Sequence, residues 1–390
     1  MKDAATHADT LVVAGISVRA MAESARQGGW RVIALDLFGD ADTRLASARW
    51  APIGDAATLS IDPSELRVAL AGGRGEPGVS GWVAGSGFVA LPELLDAAPP
   101  GLPLLGMGSE VVRTLRDPRR FFATLDRHHL AYPPIRFDPP PDPAGWWAKR
   151  AGGTGGWHIR AADDAAPVHA DTYYQRHQAG RPMSALFLAD GQAASLVALN
   201  HLIVRPLGGL PHVFRGAIGP VHDAAMEAAL EDALAAMVPA FGLRGLASLD
   251  FIAADGTAWL LEVNPRPSAS MVLHAQAWPA GLMRAHVAAI GGHLPAARAR
   301  AGVRGSEVVF ATCACRVDAA LAASLAGLRH CHDVPARDMA FAPGDPVCSV
   351  TVQADDARAV EHGLDERVAA VQARLLPARP MHAAHEAASA

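Results

Sequence analysis

Lysine is the scarcest charged residue in this chain of 390 residues: the only lysines are Lys2 and Lys149, and the other basic side chains are arginine. The two residue types are not equivalent where a slim point charge must reach a phosphate, so a solitary interior lysine is a candidate functional residue from the outset. Cysteine is almost as rare. Its four copies, Cys313, Cys315, Cys331 and Cys348, fall in the last fifth of the sequence as C-x-C and then scattered. That is not the paired spacing of a zinc site, and buried thiols in alternating strands are expected. A basic surface is missing too: the net charge of -5 argues against nucleic acid or an anionic membrane as partner. No apolar run approaches the roughly 20 residues that span a bilayer. The opening, MKDAATHADT, has neither a basic n-region nor a small-residue cleavage site, so no signal peptide and a cytoplasmic location are expected. What is present, 51% apolar and 19% charged residues, describes a globular chain long enough for two or three domains.

The pattern along the chain divides it. Residues 11–14 (LVVA), a Gly15-Ile16-Ser17-Val18-Arg19 turn, the helical stretch AMAESARQ, a Gly28-Gly29 stop and the strand WRVIALD open a doubly wound α/β unit. GWVAGSG and LPLLGM predict two more strands of the same parallel sheet, giving an open α/β domain over residues 1–110. The single glycine of the first turn is not the three-glycine dinucleotide fingerprint, which speaks against an NAD-dependent oxidoreductase. Asp117-Pro118 reads as a helix cap followed by proline in the first turn, starting RRFFATLDRHH. After DPPPDP the character changes to hairpins and glycine-rich turns, and residues 221–240 have helical periodicity. The middle region spans residues 111–300, with a smaller lobe over 118–182 and a larger one over 183–300. A small α+β piece follows over 301–380, and 381–390 reads as a tail.

Two constellations carry chemistry. In Lys149-Arg150-Ala151-Gly152-Gly153-Thr154-Gly155-Gly156, four glycines in five positions give a loop whose main-chain N–H groups can close on anionic oxygens. Lys149 would add a point charge. A flexible hairpin tip is the plain alternative, and the solitary lysine favours phosphate binding. The following His158 has no carboxylate near it in sequence and reads as structural. In the second constellation, LDFIAADGTAWLLEVNPRP, a two-residue Asp255-Gly256 turn would pair Asp250 with Leu261, out of step with the apolar pattern. A three-residue loop over Ala254-Asp255-Gly256 would pair Asp250 with Leu260. Leu249, Phe251, Trp259, Leu261 and Val263 then share an apolar face, with Asp250, Glu262 and Asn264 on the other. Two carboxylates and an amide oxygen are hard ligands of the kind Mg²⁺ takes when it also holds phosphate. A merely wet edge hairpin is the alternative.

These residues resemble the ATP-grasp superfamily. Lys149 with Gly152, Gly153, Thr154, Gly155 and Gly156 is similar to its small-lobe lysine and phosphate loop. Gln175, Arg176 and His177 resemble the hinge strand that contacts adenine, with Arg176 standing where many relatives carry an acid. Asp250, Glu262, Asn264 and Arg266 resemble the metal and catalytic strand. The resemblance implies an open parallel α/β pre-grasp domain, a two-lobed ATP-grasp domain and a C-terminal α+β piece of the biotin-carboxylase-like branch. It further implies ATP and Mg²⁺ as cofactors, with metal on Asp250, Glu262 and Asn264, and Lys149 and Arg266 stabilising the transferring phosphoryl group. Arg205 and Arg215 are candidates for gripping a substrate carboxylate. The implied activity is a carboxylate–amine ligase acting through an acyl phosphate on small-molecule substrates, with a homodimer as the expected assembly. The segments GISVRAMAESARQGGWRVIALDLFGDADT and FRGAIGP most resemble ligases associated with one-carbon carriers of the tetrahydromethanopterin and methanofuran type. Two alternatives stand beside this: a carboxylase making carboxyphosphate from bicarbonate, which would need a separate biotin carrier, and a non-catalytic nucleotide-binding module.

Overall fold

Residues 9–163, 168–295 and 302–376 are described in a computed structural model. Lys2, the rest of the opening segment and the expected tail lie outside them. The first apolar run forms β1 (Thr10–Ala14), followed by α1 (Arg19–Gln27), β2 (Arg31–Asp36), β3 (Arg49–Pro52), α2 (Pro63–Arg74) and β4 (Val79–Ala84). The four strands are parallel in the order β3-β2-β1-β4. Leu11, Val12, Val13 and Ala14 are wholly buried, because helices cover both faces of a parallel sheet. Two details depart from expectation. The stretch LPLLGM supplies only one parallel bridge, Trp82 to Leu104, and its Pro103 has no N–H to give to a ladder. The fourth strand is instead β3, at the opposite edge beside β2, too short and too exposed to show in the hydropathy pattern.

Helices α3 (Ser109–Arg116) and α4 (Pro118–Arg127) meet at Asp117, whose carboxylate accepts from the N–H groups of Arg119 and Arg120. The smaller lobe is a four-stranded sheet. Its centre is β5 (Trp146–Arg150) against β6 (Thr172–Arg176), flanked by the short pairs Ile135–Arg136 and Arg160–Ala161.

The larger lobe is built on β7 (Arg181–Asp190), β8 (Ala194–Leu207), β9 (Leu210–Val221), α5 (Ala224–Phe241), β10 (Arg244–Ala254) and β11 (Thr257–Asn264). Strand β7 is buried on both sides: Ala185 and Phe187 pack in the core with α5, while Leu186 and Leu188 pack with the N-terminal domain. Helix α5 is capped by Asp223 and closed by left-handed Gly242. The main C-terminal strands, β12 (Val303–Phe310) and β13 (Pro346–Ala354), do not form a sheet of their own. They extend the large sheet in the order β11-β10-β7-β8-β9-β12-β13, with Cys331–His332 beyond, and α6 (Ala357–Leu375) packs behind them. Strand β9 therefore has no bare edge. Cys331 and Cys348 are buried in this part, whereas Cys313 and Cys315 are only half-buried, less than the sequence pattern suggests.

Candidate active site

The hairpin β10–β11 settles a question of register. Asp255 and Gly256 both have positive φ, 50° and 73°, the combination a two-residue hairpin turn requires. From this turn Ala254 pairs with Thr257 and Phe251 with Leu260, but Asp250 pairs with Glu262. One extra residue, Leu261, is inserted as a β-bulge. The expected three-residue loop is thus incorrect; the chain keeps the tighter turn and corrects the phase further along the strand. The apolar face also changes membership. Leu249, Phe251, Leu260 and Val263 enter the core, while Trp259 is only partly buried and Leu261 lies on the cavity side. The bulge places Leu261 and Glu262 together opposite Asp250, so both carboxylates and Asn264 face one cavity.

Within this group, Asn264 Nδ2 donates to Asp250 Oδ2 at 3.0 Å and Arg266 donates to Asn264 Oδ1 at 3.4 Å. Burial, then the like charge of Glu262, raises Asp250 to about 7. Burial would raise Glu262 too, but Arg116, His158 and Lys149 outweigh it and hold this carboxylate below its ordinary value. Arg116 was not singled out in the sequence. It ends α3, donates to Glu262 Oε2 at 2.8 Å and bonds the Gly153 carbonyl. Only its place before the Asp117-Pro118 cap marks it, and nothing local separates it from the many other arginines.

Lys149 extends from β5 toward the same carboxylates. Burial lowers its ammonium to about 8, opposed by Glu262 and Asp250 and reinforced by Arg116. Its Nζ donates to Gln175 Oε1 at 2.6 Å. The glycine loop that follows is seated on the larger lobe: Phe214 N–H donates to the Gly155 carbonyl at 3.0 Å. Gly156 (φ 80°) lies so close to β9 that a Cβ there would stand 1.6 Å from the His212 carbonyl oxygen. A Cβ on Gly153 would meet the His158 ring at 1.9 Å, and burial lowers that imidazole to about 4. Gly152 makes no comparable approach, and Thr154 is exposed.

At the hinge, Gln175 is buried, whereas Arg176 and His177 are exposed. The N–H groups of Arg176 and His177 donate to the carbonyls of Pro134 and Gly145, so these two amides are not available to read a base edge. His177 Nδ1 accepts from Trp147 Nε1 at 3.2 Å, and the Trp147 ring meets His212 of β9 edge-on at 4.5 Å. Arg205 and Arg215 are not brought to the site. Arg205 is paired with Asp365 at 2.8 Å, and Arg215 donates to the Pro206 carbonyl, its guanidinium over Phe310. Neither lines the cavity.

The cavity itself encloses about 1520 Å³ between the two lobes and the N-terminal domain. Lys149, the glycine loop, Gln175, Asp250, Glu262, Asn264 and Arg266 line one end, and Ser17, Arg19 and Ser86 the other. Arg19, from the first strand–helix turn, is buried and grips Asp333 of the C-terminal region at 2.6 and 3.2 Å, which closes that end. Several buried side-chain nitrogens around the phosphate-loop end have no partner: Arg116 Nε, His158 Nδ1, Gln175 Nε2, His212 Nε2 and Arg266 Nε. Buried polar atoms are normally satisfied, and an orphan set dominated by N–H donors fits a ligand rich in acceptor oxygens.

Residues 115–270 match the family profile of the ATP-grasp domain. Among solved structures, the fold is similar to biotin carboxylase from Campylobacter jejuni (TM-score 0.69, 14% identity, covering 91% of this chain and 89% of that one). It is also similar to N5-carboxyaminoimidazole synthetase from Staphylococcus aureus in complex with ADP (0.66, 14%, 93% and 97%). A third is N5-carboxyaminoimidazole synthase from Aspergillus clavatus in complex with ADP and 5-aminoimidazole ribonucleotide (0.67, 14%, 94% and 99%). No curated protein matches the chain in sequence. Among the described residues, no helix is long and apolar enough to cross a membrane.

Proposed function

We propose that this chain, which carries an ATP-grasp domain over residues 115–270, is an ATP-dependent ligase that activates a carboxylate and joins it to an amine. The observation that carries the reading is the convergence of Lys149, the glycine loop, Arg266 and the Asp250–Glu262 pair on one end of a cavity large enough for a nucleotide and a second molecule, with Arg116 behind them on Glu262 and Gly153. ATP fits the orphaned nitrogens, whose natural partners are the oxygens of a polyphosphate. Mg²⁺ fits the donor set: Asp250, raised by burial and then by the like charge of Glu262, needs a counter-charge, and Asn264 adds an amide oxygen. Asp250, Glu262 and Asn264 would hold the ion, which supplies charge neutralisation at the β- and γ-phosphates when bound.

In the reaction, a carboxylate oxygen forms a bond to the γ-phosphorus while the bond from that phosphorus to the β,γ-bridging oxygen breaks and ADP leaves. Lys149 offsets charge on the phosphoryl oxygens, Arg116 holds Glu262 and the glycine loop in place, and Arg266 faces the site of transfer. The amine nitrogen then attacks the acyl phosphate carbonyl, loses a proton, and phosphate departs. The glycine loop, held to β9 through Gly155, excludes the water that would hydrolyse this intermediate.

ADP and phosphate release from ATP–Mg²⁺ across a panel of carboxylates with amines tests the reading. One-carbon carrier precursors, to which the sequence resemblance points, head the panel. Release that needs both a carboxylate and an amine is the expected result. Stimulation by bicarbonate alone would replace the ligase with a carboxylase, a reaction type to which the names of the structural relatives lend support. Nucleotide binding without turnover on any pair would leave a binding module.

The lysine makes a pH prediction. If protonated Lys149 offsets phosphate charge, kcat/KM for ATP falls as the pH rises through its pKa of about 8. Lys149→Arg, charged throughout, should flatten that limb while lowering the rate, since a guanidinium fork does not replace a point charge. A wild-type profile still level two units above that pKa would show that the proton on Lys149 does not matter.

A further inference from the structure

Gln175 sits on β6 beside Trp147 of β5, and cross-strand pairing puts Trp147, Lys149, Tyr173 and Gln175 on one face of the small sheet. Its side chain is 2% exposed yet belongs to the wall of the cavity. The orientation of its amide is fixed by chemistry. An ammonium has three donors and no acceptor, so the atom that meets Lys149 Nζ at 2.6 Å is the carbonyl Oε1. The NH₂ end is thereby turned away from Lys149, and Nε2 has no partner. A buried amide donor left unpaired is costly, and a single water would need several polar partners to repair it. The arrangement is thus half complete in the free protein.

We infer that Gln175 is a two-ended positioning residue: its carbonyl holds Lys149 in place, and its NH₂ group donates to an acceptor atom of the bound nucleotide. This rests on the reading of the cavity as a nucleotide site and goes beyond the hinge role first expected of the residue. With Arg176 and His177 having committed their main-chain N–H groups to Pro134 and Gly145, it is the Gln175 side chain that presents a free donor from this strand. Because the residue is neutral, it orients Lys149 without supplying a counter-charge, and the ammonium remains available to an anionic ligand. The acceptor is either a phosphate oxygen or a ring nitrogen of the base, and the two sources separate experimentally.

Two variants divide the two ends. Gln175→Glu keeps an acceptor for Lys149 and removes the donor; Gln175→Met removes both at similar volume. Binding is read by titrating each purified variant with ATP, adenosine and inorganic tripolyphosphate, following heat and intrinsic tryptophan fluorescence, with thermal denaturation as the check on folding. We expect ATP affinity to fall about tenfold in Gln175→Met, the effect of one lost hydrogen bond to a charged or buried acceptor, and by more in Gln175→Glu, whose carboxylate also engages the Lys149 ammonium. Turnover at saturating ATP should fall in Gln175→Met, which loses the hold on Lys149, and the loss of affinity should be confined to one of the two fragments, which a merely structural residue would not do. A loss for tripolyphosphate but not adenosine places the acceptor on the phosphates; the reverse places it on the base. Folded variants that bind ATP and turn over like the wild type overturn the inference alone, whereas a wild type that binds no ATP overturns the nucleotide site and the inference together.

Discussion

Replacing Glu262 by glutamine is expected to lower ADP release at saturating substrates by a factor of about 100 to 1000, which corresponds to about 3–4 kcal/mol of transition-state stabilisation. The glutamine keeps an oxygen to accept from Arg116, so α3 retains its tie to the hairpin, and the substitution removes charge rather than shape. Charge is what the site needs there. Glu262 is the carboxylate of the pair that stays ionised, because Arg116, His158 and Lys149 outweigh its burial, whereas Asp250 is raised to about 7. The folded-state pKa of Glu262 is depressed, so its ionisation stabilises the fold above the unfolded value, and that contribution is lost as the pH falls through the folded one. The variant should lose this acid-side sensitivity along with its activity. Steady-state ADP release and a urea midpoint measured at two pH values report both effects. Turnover within a few-fold of wild type would remove Glu262 from the catalytic set. Glu262→Ala is the poorer test, since it also removes the side-chain oxygen that accepts from Arg116, whose side chain is 10% exposed.

Gly156→Ala is expected to be nearly as damaging through geometry alone. At φ 80° an L-residue is strained, and the added Cβ would lie 1.6 Å from the carbonyl oxygen of His212, a main-chain atom that cannot swing aside. The loop must therefore lift from β9 and lose the Phe214–Gly155 hydrogen bond. We expect ATP affinity to fall by about 10- to 100-fold, equivalent to about 1.4–2.7 kcal/mol, and the remaining ATP turnover to run without coupled product, because water now reaches the intermediate. The melting temperature should change little, since no core residue belongs to the loop. Gly152→Ala is the control: its Cβ would come no nearer than 4.0 Å to the Asp171 carboxylate. Product yield per ADP released decides the matter. If Gly156→Ala remains fully coupled, the seated loop is not the water barrier.

The residues of the candidate site were largely legible in the sequence, and their relations were not. A solitary Lys149 beside four glycines, and two acids with an asparagine flanking an Asp-Gly turn, are local patterns whose chemistry follows from residue type and spacing. So does the opening strand–turn–helix–strand of the N-terminal domain, since its apolar run and glycine stops recur within a few residues. The register of the hairpin shows where local reasoning ends. It put Asp250, Glu262 and Asn264 on one side and Leu249, Phe251 and Val263 on the other, as found, but it counted Trp259 and Leu261 with the core in place of Leu260 and assigned the slip to the turn. The chain put it at Leu261, because a two-residue turn and a bulge satisfy both the backbone and the core. Nothing in the local pattern distinguishes one extra residue at the tip from one along the strand.

The remaining features belong to pairs far apart in the chain. Arg116 reaches a carboxylate 146 residues away, and Arg19 reaches one 314 residues away. Arg205 and Arg215, plausible in sequence, are turned to Asp365 and Pro206. Gln175 binds Lys149 because β5 and β6 are neighbours in the small sheet, and the C-terminal strands complete the large sheet because β9 offers them an edge. Side-chain type and short-range periodicity determined which elements form and which atoms could do chemistry. Which of those atoms meet was decided by strand pairing and core burial, since these act between segments that only the folded chain brings together.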